Sequence, residues 1–169
     1  KKLDLAKGVD EDVKRFCELM EPLQQNGKLG CILIQLPPSL DFQLEKMERF
    51  FEILPRDYRF AAEFRHLSWI RQETWDLLKR HQIAYVVVDE PLLPPDVHVT
   101  ADFAYFRWHG KGTRIWYDYR YEEEELAPWI PKIKETAGKV NRMYGYFNNH
   151  FHGYAVENCL DILGMLSVL

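Results

Sequence analysis

The sequence is poor in cysteine, in long apolar runs and in net positive charge. Its three cysteines, Cys17, Cys31 and Cys159, are widely separated among 169 residues. No C-x-x-C pair occurs, which excludes a zinc ribbon and a thioredoxin-type site. Each cysteine sits beside apolar residues and reads as a buried free thiol, so the expected compartment is the reducing cytoplasm. The longest apolar runs, such as residues 31–36, are far too short to span a bilayer, and no membrane partner is expected. Residues 1–14 are polar and charged and do not read as a secretory signal. The chain opens with Lys rather than Met, so these residues need not be the natural start. The formal charge of −4, with a pI near 5.9, offers no overall basic field to recruit nucleic acid. G-x-G-x-x-G and G-x-x-x-x-G-K-[ST] are both missing, which weakens the nucleotide-binding forms of an open α/β sheet. G-x-S-x-G and H-E-x-x-H are missing too. Ser39, Ser68 and Ser167 have no triad context, so covalent serine catalysis has no support.

What the sequence has is apolar material in a strand–helix alternation. At 47% hydrophobic and 14% aromatic it can build one core, and its length suggests a single domain over 1–169. Val9, Val13, Phe16, Met20 and Leu23 recur at helical spacing, and Asn26-Gly27 ends that helix. Residues 31–36 read as a buried strand stopped by Pro37-Pro38. Asp41 is placed to cap a helix whose apolar face is Leu44, Met47, Phe51 and Leu54, ended by Pro55. Residues 60–65 form the second strand. Ser68 is placed to cap a helix carrying Ile70, Thr74, Leu77, Leu78 and His81. Residues 84–89 are the clearest strand, and residues 103–109 follow after a proline-rich loop. Residues 110–121 form a long polar-aromatic loop. Glu122 to Glu125 put charge where a helix start favours it, and read as a solvated face. Leu126, Ile130, Ile133 and Ala137 continue that helix, with its boundary blurred by Pro128 and Pro131. Residues 143–149 are the fifth strand. Ala155, Cys159, Ile162 and Leu166 face one side of the last helix. Such an alternation predicts a parallel sheet covered by helices, either open and doubly wound or a (β/α)₈ barrel.

The strand ends separate the two. Each strand stops on polar residues at its C-terminal end: Gln35; Glu63 and Arg65; Asp89; Arg107 and His109; Asn148 and Asn149. Residues two apart on a strand share a face, so Glu63 points with Arg65 and Arg107 with His109, while Phe64 and Trp108 point the other way. Polar side chains at the C-terminal strand ends are where barrel enzymes keep their chemistry. Only five strands are present, and an eight-stranded barrel needs roughly 200 residues or more.

Gln35-Leu-Pro-Pro38, Glu63-Phe-Arg65-His66 followed by Ser68-Trp69, Asp89-Glu90, and His109-Gly110 resemble the YecE-like family, catalogued as domain of unknown function 72. So do Tyr117 to Tyr121 leading into Glu-Glu-Leu, and Tyr146-Phe-Asn-Asn149 with Gly153-Tyr-Ala155. The resemblance runs through nearly the whole chain, in order. It implies an α/β, TIM-like (β/α) barrel, here a partial one. The five strands would be its fourth to eighth, the C-terminal portion, with three N-terminal βα units not represented. It implies a site location but no reaction.

The residues themselves suggest chemistry. Glu63 and Asp89 are suited to general acid or base work, and His109 titrates in the useful range. Arg65 and Arg107 match carboxylate or phosphate oxygens, so one of them is expected to hold an anion. Gln35, Asn148 and Asn149 suit sugar hydroxyls or amides, with Tyr119 and His150 as further binding residues. The expected activity is hydrolysis or isomerisation of a small anionic or sugar-like substrate. Cofactors stay open: Glu63, Asp89 and His109, with His150 or His152, could ligate a divalent metal, but a metal-free site is favoured. The opposing structural reading is a layer of buried ion pairs, with Glu63 and Asp89 answering Arg65 and Arg107. A non-catalytic alternative uses loop 110–121. Lys111, Arg114 and Arg120 alternate there with Trp116, Tyr117, Tyr119 and Tyr121, a composition that fits stacking on nucleic acid. The same rings could instead pack over the strand ends. Oligomeric state is left open.

Overall fold

The computed structural model describes residues 9–167. Five strands, β1 (Ile32–Gln35), β2 (Phe60–Glu63), β3 (Ala84–Asp89), β4 (Phe103–Trp108) and β5 (Arg142–Phe147), lie in chain order. The chain divides into two compact units, Lys1–Ile83 and Ala84–Leu169.

In the first unit β1 and β2 pair in parallel, with Gln35 opposite Glu63. Helices α1 (Asp10–Gln25), α2 (Leu44–Glu52) and α3 (Gln72–His81) accompany them. Met47, Phe50 and Phe51 of α2 and Trp75, Leu77 and Leu78 of α3 are buried. Along α1 only part of the expected apolar face is covered: Val13 and Cys17 are buried, whereas Phe16 and Leu23 are exposed. Two expected caps are not made. Gln43, not Asp41, precedes α2, and Asp41 instead accepts from the Gln43 amide at 2.6 Å. Ser68 lies in a short 3-10 turn, Leu67–Trp69, and Ile70 falls outside the helix, which starts at Gln72. The Ser68 hydroxyl accepts from the Phe42 backbone N–H at 2.8 Å and meets His66 Nδ1 at 2.7 Å. It therefore ties two loops together rather than capping α3.

In the second unit β3, β4 and β5 are parallel, with Val88 opposite Arg107 and Arg107 opposite Tyr146. All six residues of β3 are buried, as a run of Val on both faces requires. The expected helix after Glu122 is two helices, α4 (Glu123–Leu126) and α5 (Trp129–Ala137), parted at Pro128. Pro128 has no N–H to donate, so the ladder breaks there, while Pro131 is tolerated in the first turn of α5. Thr136 rather than Ala137 is the buried residue at the end of α5. In α6 (Tyr154–Ser167) the buried residues are Asn158 and Ile162, and Cys159 is exposed. Of the three thiols, then, Cys17 is buried, Cys31 half-buried and Cys159 on the surface. No helix among the described residues is long and apolar enough to cross a membrane.

Candidate functional site

In the first unit the pleat does what the spacing requires. Glu63, with its side chain fully buried, accepts from Arg65 Nε at 2.7 Å. Phe64 between them turns to the other side and stacks on Trp69, with centroids 4.6 Å apart. Gln35 ends β1 on an exposed position.

In the second unit the sheet ladder runs one step past the strands. His109 N–H donates to the Asp89 carbonyl (3.0 Å), and Asn148 N–H to that of Trp108 (2.7 Å). Asp89, His109 and Asn148 are thereby set side by side at the C-terminal ends of β3, β4 and β5. Asn148 Nδ2 lies 3.1 Å from His109 Nδ1. With that amide donating, the neutral imidazole carries its proton on Nε2. Trp108, on the opposite face from Arg107 and His109, packs against Trp129 of α5 at 5.4 Å and Phe147 at 4.6 Å. Arg107 is half-buried.

The Asp89 carboxylate is held on both oxygens. Oδ2 accepts from Trp129 Nε1 at 3.2 Å, and Oδ1 faces Lys111 Nζ at 3.4 Å. Lys111 also approaches Glu125 Oε1 at 3.5 Å, the oxygen that accepts from the Tyr119 hydroxyl at 2.7 Å. The same ammonium lies 5.3 Å from the centroid of the Tyr121 ring. The result is a chain of alternating charge, Asp89–Lys111–Glu125, closed by a phenol.

Titration behaviour follows from these contacts. Burial, then the hydrogen bond and charge of Glu125, push the Tyr119 phenol up to about 12. Burial, reinforced by the charge of Asp89, raises Tyr121 further still. Burial pushes Glu125 upward, but the Tyr119 hydroxyl, the Glu122 N–H and Lys111 outweigh it and hold the carboxyl below its ordinary value.

Loop 110–121 is pinned by its own rings and by two buried amides. The Gly110 N–H donates to the Tyr121 hydroxyl at 2.9 Å. Asn158 pairs with the Tyr121 backbone twice, accepting from its N–H (3.0 Å) and donating to its carbonyl (2.8 Å). Asn149 donates to the Tyr119 carbonyl and to Asn158 Oδ1, both at 2.8 Å. Gly110, at φ +88°, permits the closure, since a Cβ there would stand 2.1 Å from the Trp116 carbonyl oxygen. His150 lies outside this cluster: it is exposed and stacked on Tyr117 at 5.1 Å. Among the described residues no group of three His, Cys, Asp or Glu side chains is arranged to hold a metal ion.

A family model described as "Protein of unknown function DUF72" matches residues 2–168. The chain belongs to the DUF72 family. A DUF72 family protein from Thermotoga maritima MSB8, of known structure, is 39% identical with a TM-score of 0.89, covering 94% of this chain and 66% of that one. A DUF72 family protein from Enterococcus faecalis V583 is 25% identical with a TM-score of 0.86, over 95% and 70% of the two chains. The UPF0759 protein YunF of Bacillus subtilis (strain 168) is 26% identical over 184 residues, 94% of this chain and 65% of its own length. The chain thus spans about two thirds of the relatives it matches. These likenesses, with the parallel pairing within each unit, give the DUF72 chain its fold class: α/β, five parallel strands with covering helices, a partial TIM-like barrel.

Several residues of this cluster do not stand out in the DUF72 sequence. Lys111 reads as one loop cation among three, and Glu125 as part of a solvated acidic run. Here Glu125 is half-buried and takes both Lys111 and Tyr119. Trp129 is singled out by no motif, yet its indole N–H serves Asp89. Asn158 is hidden because it is polar on a helix read by its apolar spacing.

Proposed function

We propose that this DUF72 chain carries the acid–base machinery of an enzyme acting on a small anionic or sugar-like substrate, by hydrolysis or isomerisation. The observation supporting it is the alignment of Asp89, His109 and Asn148 on adjacent strand ends, with Lys111 bridging Asp89 to Glu125. Asp89 is the base, and the Nε2–H of neutral His109 is a hydrogen-bond donor that polarises a substrate oxygen. Asn148 fixes the imidazole, and Trp129 fixes the carboxylate. Lys111 balances two carboxylates that would otherwise repel. Arg107 takes the anionic group of the substrate, and Asn149 holds Tyr119 in place through its carbonyl. Glu63, Arg65 and Gln35 are the polar strand ends of the first unit, where Arg65 answers Glu63, and they take no part in this second-unit site. Two of the three cations of loop 110–121 favour this reading over the nucleic-acid one: Lys111 and Arg120 already answer carboxylates.

A calorimetric titration series tests it, with sugar phosphates, sugar acids and neutral monosaccharides as probes. The reading expects at least one of them to bind the wild-type chain. His109→Gln and Asp89→Asn then weaken that binding tenfold or more, with the far-UV circular dichroism unchanged. Binding equal to wild type in both variants, or none at all in the wild type, overturns it.

A further inference from the structure

A second feature of the second unit lies apart from the Asp89–His109 cluster. Tyr117, from loop 110–121, meets His150 at 5.1 Å with an interplanar angle of 16°, and Phe151 at 5.7 Å. His150 and Phe151 touch at 5.3 Å, so the three rings form one closed group. Two further rings extend it: His152 at 6.2 Å from Phe151, and Tyr154 at 5.3 Å from His152. The turn that presents them uses two consecutive left-handed residues, His152 (φ 57°) and Gly153 (φ 82°). A non-glycine residue in that region is uncommon, and it costs more than an extended backbone would.

Tyr117, 44% exposed, faces solvent with His150 and His152, and Phe151 is half-buried. Polar groups edge the cluster. The Asp118 carboxylate lies 3.6 Å from His152 Nε2. His150 Nδ1 donates to the Asn148 carbonyl at 2.9 Å, which leaves its Nε2 as an acceptor on the neutral ring. Asn148 is also the residue that holds His109, so the rings begin two residues from the strand ends.

We infer that Tyr117, His150 and Phe151 form a stacking platform for a pyranose ring of a neutral oligosaccharide. The less polar face of a pyranose presents C–H bonds of partial positive charge, which suit the negative face of an aromatic ring. Its equatorial hydroxyls need acceptors and donors at the ring edge, which Asp118 and His150 Nε2 supply. Charge argues against a polyanion. Phosphate backbones are bound by free lysine and arginine. Here two of the loop's three cations are taken up, Lys111 by Asp89 and Glu125 and Arg120 by Glu122 and Glu157. That leaves the exposed Arg114, and Asp118 adds negative charge beside the rings. The ligand class rests on the sugar-like substrate proposed above, whereas the platform's geometry does not depend on Asp89 or His109.

The test is ¹H–¹³C NMR of the histidine and tyrosine rings during titration with maltohexaose, cellohexaose, hexa-N-acetylchitohexaose or single-stranded dT10. One of the hexasaccharides is expected to shift the Tyr117 and His150 resonances. Tyr117→Ala and Tyr117→Leu, at an exposed position, are expected to lower its affinity at least tenfold. The platform is read from the Tyr117 and His150 resonances and the Tyr117 variants alone, and the acid–base cluster from small-ligand binding in the Asp89 and His109 variants, so the two readings fail separately. Resonances unmoved by every hexasaccharide, Tyr117 variants that bind like wild type, or shifts produced by dT10 alone would each overturn the platform.

Discussion

Replacing Asn158 by alanine removes the joint between helix α6 and loop 110–121. The side chain is fully buried and makes four hydrogen bonds, two of them to the Tyr121 peptide groups, one from Asn149 and one to Asp161. Alanine leaves the Tyr121 N–H and carbonyl without those partners in a site closed to water, at ~1–3 kcal/mol each. The Asn149 amide loses one of its two acceptors as well. The Asp161 hydrogen bond is closer to the surface and adds little. N158A is therefore expected to destabilise the protein by about 4 kcal/mol. Urea unfolding followed by fluorescence measures the total, and amide hydrogen exchange at Tyr121 locates it, since that N–H should lose its protection first. Asn158→Asp keeps the acceptor but loses both donated bonds and sets a second carboxylate beside Asp161, so it should not rescue. A loss below about 1 kcal/mol, with Tyr121 still protected, would show that the loop is held by something other than this amide.

Gly110→Ala forces a side chain onto a left-handed residue 2.1 Å from the Trp116 carbonyl oxygen. A loss of about 3 kcal/mol or more is expected by denaturant titration, as the shifted loop draws Lys111 away from Asp89. The pH profile of stability should fall at both ends. Glu125 is depressed when folded, so its contribution is present above the unfolded carboxyl value and lost as pH drops through the folded one. Tyr119 is raised to about 12, so its contribution is full below the ordinary phenol value near 10 and lost as pH climbs toward 12. Tyr119→Phe should shrink the alkaline arm, to which buried Tyr121 also contributes, and return the Glu125 carboxyl toward its ordinary value, read by carboxyl-carbon NMR. Alkylation with iodoacetamide should reach Cys159 first, because it is exposed. Cys17 is raised by burial, and Cys31 is pushed up to about 11 by burial against the opposing charge of Arg59. Peptide mapping after brief labelling reads the order.

Much of the strand framework was legible because it depends on local patterns. Residues 84–89 centre on the β-branched run Val86-Val87-Val88, and β3 occupies those six positions. The period of two placed Glu63 with Arg65, and sent Phe64 the other way, onto Trp69. Helix starts were harder. The Asp41 and Ser68 caps failed because the helices nearby begin without any side-chain cap at all. In α6, apolar spacing pointed to Ala155, Cys159, Ile162 and Leu166. The buried partner of Ile162 is instead Asn158, a polar residue whose burial is stabilised by its hydrogen bonds. The Lys111–Glu125 ion pair joins residues fourteen apart across an irregular loop, and no periodicity encodes such a pairing. Charge in an acidic run looks solvated until a fold brings a phenol and an ammonium to it.

Isotope exchange on a bound ligand separates an enzyme from a binding module. A sugar phosphate or sugar acid that binds the wild-type chain is incubated with it in D₂O, and separately in H₂¹⁸O, and followed by mass spectrometry. Acid–base chemistry at Asp89 and His109 predicts time-dependent uptake of deuterium at carbon if the reaction is isomerisation, or of ¹⁸O from water if it is hydrolysis, and loss of that uptake in Asp89→Asn. Saturating ligand that stays isotopically unchanged with the wild-type chain, or equal uptake in the variant, would rule that chemistry out.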